Sequence, residues 1–293
     1  MDCKHHLSID LHIHSTASDG SFTPAEILDQ ARKLNLAAIA ITDHDSIDGS
    51  REALRSGIPP SIDFLTGVEI SAAHPPFFPG SGSFHILGYD IDLDNRDLNQ
   101  ALNKLQDARK NRNPAILKLL NQLGFPISLE EVNQEVGEGQ LGRPHIACAM
   151  VKNGYVVSID EAFDKYLGTD RPAYVDKYRI ECEQAINIIR AAGGIPALAH
   201  PALLNIESDQ KLDALLQNLV KIGLAGIEVY YPGHSPQQIR QYTQLAKKYG
   251  LLMTGGTDFH GTITPEIKMG SGKGTLFIPY SLYEKLRDTR ARI

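Results

Sequence analysis

At 293 residues, with 42% hydrophobic and 22% charged side chains, the chain is long enough for one large α/β core or for a domain carrying a sizeable insertion, and two small independent domains fit it less well. A net charge of -6 excludes an overall basic surface for gripping long nucleic acid, so small anionic substrates call for a bound cation. No apolar run is long enough to cross a bilayer, the stretch Met1 to His6 lacks the apolar segment of a secretory signal, and Cys3, Cys148 and Cys182 show no Cys-x-x-Cys spacing; a cytoplasmic protein without disulfide framework or zinc ribbon is expected.

Taken in chain order, Ile9, Leu11 and Ile13 alternate with Asp10, His12 and His14, which predicts a strand that turns both imidazoles to one face. Asp19-Gly20 follows. Thr23-Pro24-Ala25-Glu26 predicts a helix start with Thr23 as N-cap, Pro24 at N1 and Glu26 closing a capping box, the helix running to about Leu34. An apolar strand from Ala37 to Thr42 ends in Asp43-His44-Asp45. A helix around Ser46 to Ser56 leads to a strand from Phe64 to Ile70 that carries Glu69. Beyond a Pro/Gly-rich loop from His74 to Gly82 comes the strand Phe84 to Tyr89, with His85 second in it.

From about Asp94 to Ile180 the period is almost wholly helical, including Leu98 to Leu123 and Ile159 to Leu167, and this predicts an inserted helical domain over 96–181, between barrel parts 1–95 and 182–293. The strand-helix rhythm resumes with a helix from Cys182 to Ala192, a strand from Ile195 to His200 and a helix from Asp209 to Ile222. A strand from Ile227 to Tyr231, a helix from Pro236 to Tyr249 and a strand from Leu251 to Thr254 complete it, the last running into Asp258-Phe259-His260. Seven strands alternating with helices imply a parallel sheet. Polar residues at successive C-terminal strand ends favour a (β/α) barrel over an open doubly wound sheet, because a barrel brings its strand ends to one face.

Collected at those ends are His12, His14, Asp19, His44, Glu69, His85, His200, Asp258 and His260, nitrogen and oxygen donors with no thiolate. Such a set suits manganese, iron or zinc in a catalytic site, and its size suits two or three ions with Glu69 bridging. Any one of these histidines is as readily a capped or core residue; six in phase at one barrel face are hard to obtain by accident. His5, His6 and His74 fall in a terminus and a loop and are given no role.

His12-x-His14, Asp19-Gly20, Thr42-Asp43-His44-Asp45, Gly67-Val68-Glu69, His85-Ile86-Leu87-Gly88-Tyr89, Ala199-His200-Pro201 and Asp258-Phe259-His260 resemble, in order, the motifs of the PHP (polymerase and histidinol phosphatase) family, metal-dependent phosphoesterases on a distorted seven-stranded (β/α) barrel. By that resemblance His12, His14, Glu69 and Asp258 hold one ion, Glu69, His85 and His200 a second, and Asp19, His44 and His260 a third, with Mn2+ the first choice and Fe2+ or Zn2+ the alternatives. Asp43 and Asp45 are read as groups that orient ligands or cap helices.

Within the family, the Ser15-x-x-Ser18-Asp19-Gly20 form and the insertion between His85 and His200 are similar to the nucleoside 3',5'-bisphosphate phosphatases, also described as short-RNA 5'-to-3' exonucleases. Histidinol-phosphate phosphatases typically carry His where this chain has Asp19. The implied reaction is hydrolysis of a phosphomonoester by a metal-bound hydroxide, with His12, His14, Glu69, His200 and Asp258 in the catalytic cluster and a cluster imidazole or His234 as proton donor. Gly142-Arg143-Pro144-His145, ahead of an apolar helix from Ile146 to Val151, offers a guanidinium and free N–H groups, which makes Arg143 and His145 candidates for a substrate phosphate. Tyr231 and His234 lie on the same predicted face; Lys177 and Arg179 border it or are merely solvated. The partners implied are a small phosphorylated nucleotide or a short RNA, and no membrane. Rival readings are a histidinol-phosphate phosphatase or other family phosphoesterase, and a non-catalytic module with structural metals.

Overall fold

The computed structural model describes residues 7–78, 83–136, 141–176 and 178–290, so that Cys3, His5, His6 and Lys177 lie outside it. Short apolar runs form the strands: β1 (Asp10–Ile13), β2 (Ala38–Ile41), β3 (Asp63–Ala73), β4 (Phe84–Tyr89), β5 (Ile180–Glu181), β6 (Ile195–Leu198), β7 (Gly226–Tyr230) and β8 (Leu252–Gly255). Seven of them make one curled sheet in the order β1-β2-β3-β4-β6-β7-β8, and β5, which has only two residues, pairs with the end of β3. Beyond β8 the chain returns to β1: Ile13 bridges Phe259, the His14 N–H donates to Phe259 O, and the Asp258 N–H donates to His12 O. The result is the expected distorted (β/α) barrel of seven principal strands.

One strand departs from the expected parallel sheet. β4 runs antiparallel to both β3 and β6, with Glu69 opposite Leu87 and Ile86 opposite Leu198. The cause is local: no helix separates β3 from β4, and without a crossover helix the chain can only fold back beside itself.

The helices are α1 (Pro24–Lys33), α2 (Asp48–Ser56), α3 (Arg96–Gln122), α4 (Leu129–Val136), α5 (Arg143–Lys152), α6 (Ile159–Ala162), α7 (Cys182–Ala191), α8 (Asp209–Lys221), α9 (Pro236–Tyr249) and α10 (Ser281–Arg290). α1 has the predicted capping box, the Thr23 hydroxyl accepting from the Glu26 N–H while the Glu26 carboxylate accepts from the Thr23 N–H. The expected helix from Ile159 to Leu167 is α6 followed by a π turn from Phe163 to Leu167. α10 has no counterpart in the sequence reading. None of the described helices is long and apolar enough to cross a membrane.

Two kinds of core hold these elements. Inside the barrel, Ile9, Leu11, Ala38, Leu87, Tyr89 and Ala197 pack together, and Ile70, Ile86, Leu198 and Ile227 meet the surrounding helices. A separate core built from Ile116, Leu117, Leu120, Ile146, Met150 and Leu167 lies wholly within the helical segment. Helix α3 belongs to both, since Leu98, Leu102 and Leu105 pack on the barrel and Ile116 to Leu120 on the second core. Between the two halves stands Pro114, which has no N–H to donate within the helix.

Candidate metal centre

Each predicted donor reaches the same rim by its own route. His12 points inward from β1, His14 follows two residues later on the same face, and His44 stands on the loop after β2, where it bridges Glu69 of β3. His200, Asp258 and His260 follow β6 and β8. His85 is the exception to the rule of C-terminal ends: it is second in β4, and because β4 runs backwards its start lies on the rim where the others finish. Gly20 and Gly256 permit the crowding, since a methyl group on either would overlap the backbone of His14 or His12. His200 and Asp258 hold positive φ angles of 24° and 55°, strained backbone for residues that carry a Cβ.

Glu69 is the centre of the arrangement. Fully buried, it turns Oε2 toward His44 Nδ1 at 2.7 Å, His14 Nε2 at 3.3 Å and His12 Nε2 at 3.5 Å. Its other oxygen, Oε1, faces His85 Nδ1 at 2.8 Å and His200 Nε2 at 2.9 Å, and those two nitrogens are 3.3 Å apart. Asp258 Oδ1 lies 3.0 Å from His14 Nε2 and 3.3 Å from His12 Nε2, and Asp19 Oδ1 lies 3.5 Å from His260 Nε2. Three groups of donors close enough to share an ion result: His12, His14, Glu69 and Asp258; His14, Asp19, His44 and His260; and His44, Glu69 and His85.

The donor atoms fit metal ions. Nε2 of His12 and His14, Nδ1 of His44, Oε2 of Glu69, Oδ1 of Asp19 and Oδ1 of Asp258 are buried and have no hydrogen-bond partner among the described residues, although several lie within 3.5 Å of one another. Donors about 3 Å apart that meet without hydrogen-bond geometry are what ligands about 2.1 Å from one cation present. Buried carboxylates behind the donors hold them in place. His12 Nδ1 meets Glu228 Oε1 at 2.9 Å, and Glu228 Oε2 accepts from the His200 N–H at 2.7 Å, so one buried carboxylate fixes two donors. Asp43 accepts from the Ser15 N–H and from the hydroxyls of Ser15 and Ser18, and Asp10 accepts from the N–H and hydroxyl of Thr257.

Electrostatics follow the same pattern. Burial opposes charge on Glu69, but His44, His85 and His12 overcome it and hold the carboxyl well below its usual range; Asp19 and Asp258 are held low in the same way. Burial also opposes charge on His12 and His260; Glu228 with Asp258 lifts the first well above the ordinary imidazole range, and Asp19 lifts the second to about 9. His14, fully buried against His260 and His44, falls to about 3. Three ionised carboxylates therefore require counter-charge, which protonated imidazoles supply in the free protein and which bound metal cations would supply in their place.

A cleft at this centre is lined by Asp19, His44 and His85 together with Arg109, Arg112, Arg143 and Arg179. Of the predicted substrate residues, Arg143 lies in it, first in α5 with Pro144 second, its guanidinium over the rings of Phe163 and Tyr174 and donating to Leu167 O. His145 does not line the cleft: its Nδ1 accepts from the Gly142 N–H and so caps α5. The Tyr231 hydroxyl donates to Asp258 Oδ2 at 3.2 Å. His234 packs against Tyr231 and Tyr242 and places Nδ1 2.9 Å from Val229 O; burial lowers its pKa, which favours a neutral ring over a proton donor. Sequence reasoning missed Glu228, Arg109 and Arg112. A lone carboxylate inside the apolar run Gly226–Tyr230 was the available signal for the first; the arginines carried none beyond their helical spacing.

Several characterised or solved proteins are similar to this chain. The 3',5'-nucleoside bisphosphate phosphatase of Chromobacterium violaceum is 31% identical over 254 residues, covering 86% of this chain and 87% of that one. The 5'-3' exoribonuclease Rnm of Escherichia coli is 31% identical over 301 residues, covering 99% of each. A solved structure of a candidate metal-dependent phosphoesterase from Bifidobacterium adolescentis superposes with a TM-score of 0.84 at 29% identity, covering 97% of this chain and 96% of that one. A distorted (β/α) barrel with a rim of nitrogen and oxygen donors, in such company, is a metal-dependent phosphoesterase. Residues 10–167 match the model of the PHP domain, and the chain belongs to that family.

Proposed function

We propose that this phosphoesterase removes the 3'-phosphate of nucleoside 3',5'-bisphosphates, and that the helical segment 96–181 is its substrate-binding insertion. The observation that carries this reading is the single cleft joining Asp19, His44 and His85 to Arg143: it offers cations to one anionic group of a ligand while another reaches the donor cluster. The similarity to the Chromobacterium violaceum enzyme supports the substrate class. In this proposal His12, His14, Glu69 and Asp258 hold one ion, Glu69, His85 and His200 a second, and Asp19, His44 and His260 a third with His14 alongside, manganese being the metal. Bound ions supply Lewis acidity and a water of lowered pKa. The chain's own residues fix the geometry: Glu69 turns one oxygen to each side, Glu228 holds the His12 ring and the His200 backbone, and the Tyr231 hydroxyl holds Asp258.

Short 5'-phosphorylated RNA is the second reading, favoured by the Escherichia coli relative whose length the match spans almost completely. Phosphate release from adenosine 3',5'-bisphosphate, histidinol phosphate and a short 5'-phosphorylated RNA, each with added manganese, separates these readings. Fastest release from the bisphosphate is expected, with loss of it in His14→Ala. Release from none of the three would overturn the bisphosphatase reading and leave a different substrate or a structural metal module as the better account.

A further inference from the structure

Halfway round the barrel from the arginine-lined cleft lies a second concavity. The cleft takes Asp19 and His44 from the segments after β1 and β2, whereas a pocket of about 470 Å³ opens between the segments after β6 and β7 and the first turns of α8 and α9. Pro201, Leu212 and Tyr242 give it a buried, largely apolar part, and Asn205, Gln237, Gln238 and Gln241 give it amides. Gln238 is spent on the N-cap of α9, its side-chain oxygen accepting from the Ser235 N–H, while the amides of Asn205, Gln237 and Gln241 have no hydrogen-bond partner among the described residues. Asp209 is the one charged residue of the lining, and no cation joins it. Such a pocket suits a neutral group with hydrogen-bonding edges, and a phosphate poorly. It also abuts the donor cluster. Pro201 follows His200 directly, about 3.8 Å along the backbone, and the turn Pro201–Leu204 runs between His200 and Asn205, both at positive φ, 24° and 49°. A row of rings makes the second link: His200 to Tyr231 at 5.6 Å between centroids, Tyr231 to His234 at 5.1 Å, and His234 to Tyr242 at 4.9 Å.

We propose that this pocket holds the second nucleoside of a short RNA, the one joined through its 5'-oxygen to the phosphate under attack. The inference deepens the short-RNA reading above and rests on it. Removal of a 3'-phosphate breaks the P–O3' bond, and on RNA the same bond breaks: water gives its oxygen to phosphorus and a proton to the 3'-oxygen, and the phosphate stays on the second nucleoside. That nucleoside is neutral and lies directly beside the donors, as the pocket does. Amide side chains donate and accept together, which matches the mixed edges of bases, and the buried side chains offer an apolar surface to the ring or the sugar. A nucleoside 3',5'-bisphosphate has no group at this position, so the pocket serves oligonucleotides alone.

The test compares kcat/KM of the metal-loaded protein for the 5'-phosphorylated adenosine dinucleotide and for adenosine 5'-phosphate 3'-(methyl phosphate). Both have the same charge, scissile bond and leaving group; only the first has a second nucleoside. The wild type should prefer the dinucleotide by about 10-fold or more, and the double variant Gln237→Ala with Gln241→Ala should lose most of that preference, because two hydrogen bonds of ordinary strength amount to about tenfold. Equal values in the wild type overturn the inference, and so does a preference that survives in the variant. Thermal unfolding checks the fold; should the double variant fail to fold, Gln241→Ala alone is read in the same way. If the wild type cleaves neither diester, the short-RNA reading fails and calorimetric titration with the two compounds decides the pocket alone: tighter binding of the dinucleotide, weakened in the variant, supports it, and equal binding overturns it.

Discussion

At the scale of single residues, the site depends on carboxylates that would be expensive to bury alone. Glu69 serves both halves of the donor cluster, and Glu69→Gln keeps its volume while removing its charge; bound manganese measured by elemental analysis should fall, and phosphate release should drop by more than about 100-fold. Glu228 touches no proposed metal position but holds two donors. Glu228→Gln should therefore weaken metal affinity by about 10- to 100-fold with the fold retained, which competition against a fluorescent chelator would measure. Asp43 gives a pH signature: burial raises its pKa from 3.8 to about 6, despite hydrogen bonds from Ser18 and Ser15. Between those values the folded state binds more protons than the unfolded, so this residue's contribution to stability falls as pH rises through the window, by up to about 3 kcal/mol, and stays lost above it. Denaturant midpoints of metal-free protein between pH 4 and 7 should decline less in Asp43→Asn than in the wild type. That these nine side chains meet at one rim was legible because strand alternation and spacing repeat along the chain. Glu228 was not, because its partner His12 lies in a strand at the other end of the sequence.

At the scale of elements, local chemistry and sequence agreed where the signal was local. The Thr23 capping box, the helix from Pro236 to Tyr249 and the strand from Phe84 to Tyr89 fall where their residues place them. The direction of β4 is a different kind of fact, since nothing within Phe84–Tyr89 distinguishes a parallel strand from an antiparallel one. The missing helix before it was the only trace. α10 escaped because its pattern, Ser281–Arg290, is short and heavily charged. Close approach between elements is equally hidden, and Gly256 shows its cost: Gly256→Ala would drive a methyl group into the His12 backbone and part β1 from the segment after β8. Loss of metal binding together with a lowered unfolding temperature is expected, measured on the same preparation with and without manganese.

At the scale of the whole molecule, the barrel and the second core meet along α3, and the cleft lies between them. Chelation should lower the unfolding temperature, because the carboxylates of Glu69, Asp19 and Asp258 then keep only protonated imidazoles as counter-charge; manganese should restore both the temperature and phosphate release. The existence of a helical insertion was readable from its period. Its sharing of a core with the barrel was not, because α3 looks uniformly amphipathic while its two halves pack on different partners.

The reversed β4 accounts for the length of α3. Since β4 starts at the catalytic rim it ends at the far one, and a chain leaving there must climb the outside of the barrel before it can reach the mouth again. α3 makes that climb in 27 residues, about 40 Å of helix, and presents Arg109 and Arg112 about halfway, some 20 Å from its start. The helix thus works as a fixed caliper whose lower jaw is the barrel floor, and the span between its arginines and the donor rim is set by helical rise instead of by a pliable loop. Adding one residue between Leu105 and Arg109 would swing both guanidinium groups by about 100° out of the cleft while leaving every donor in place.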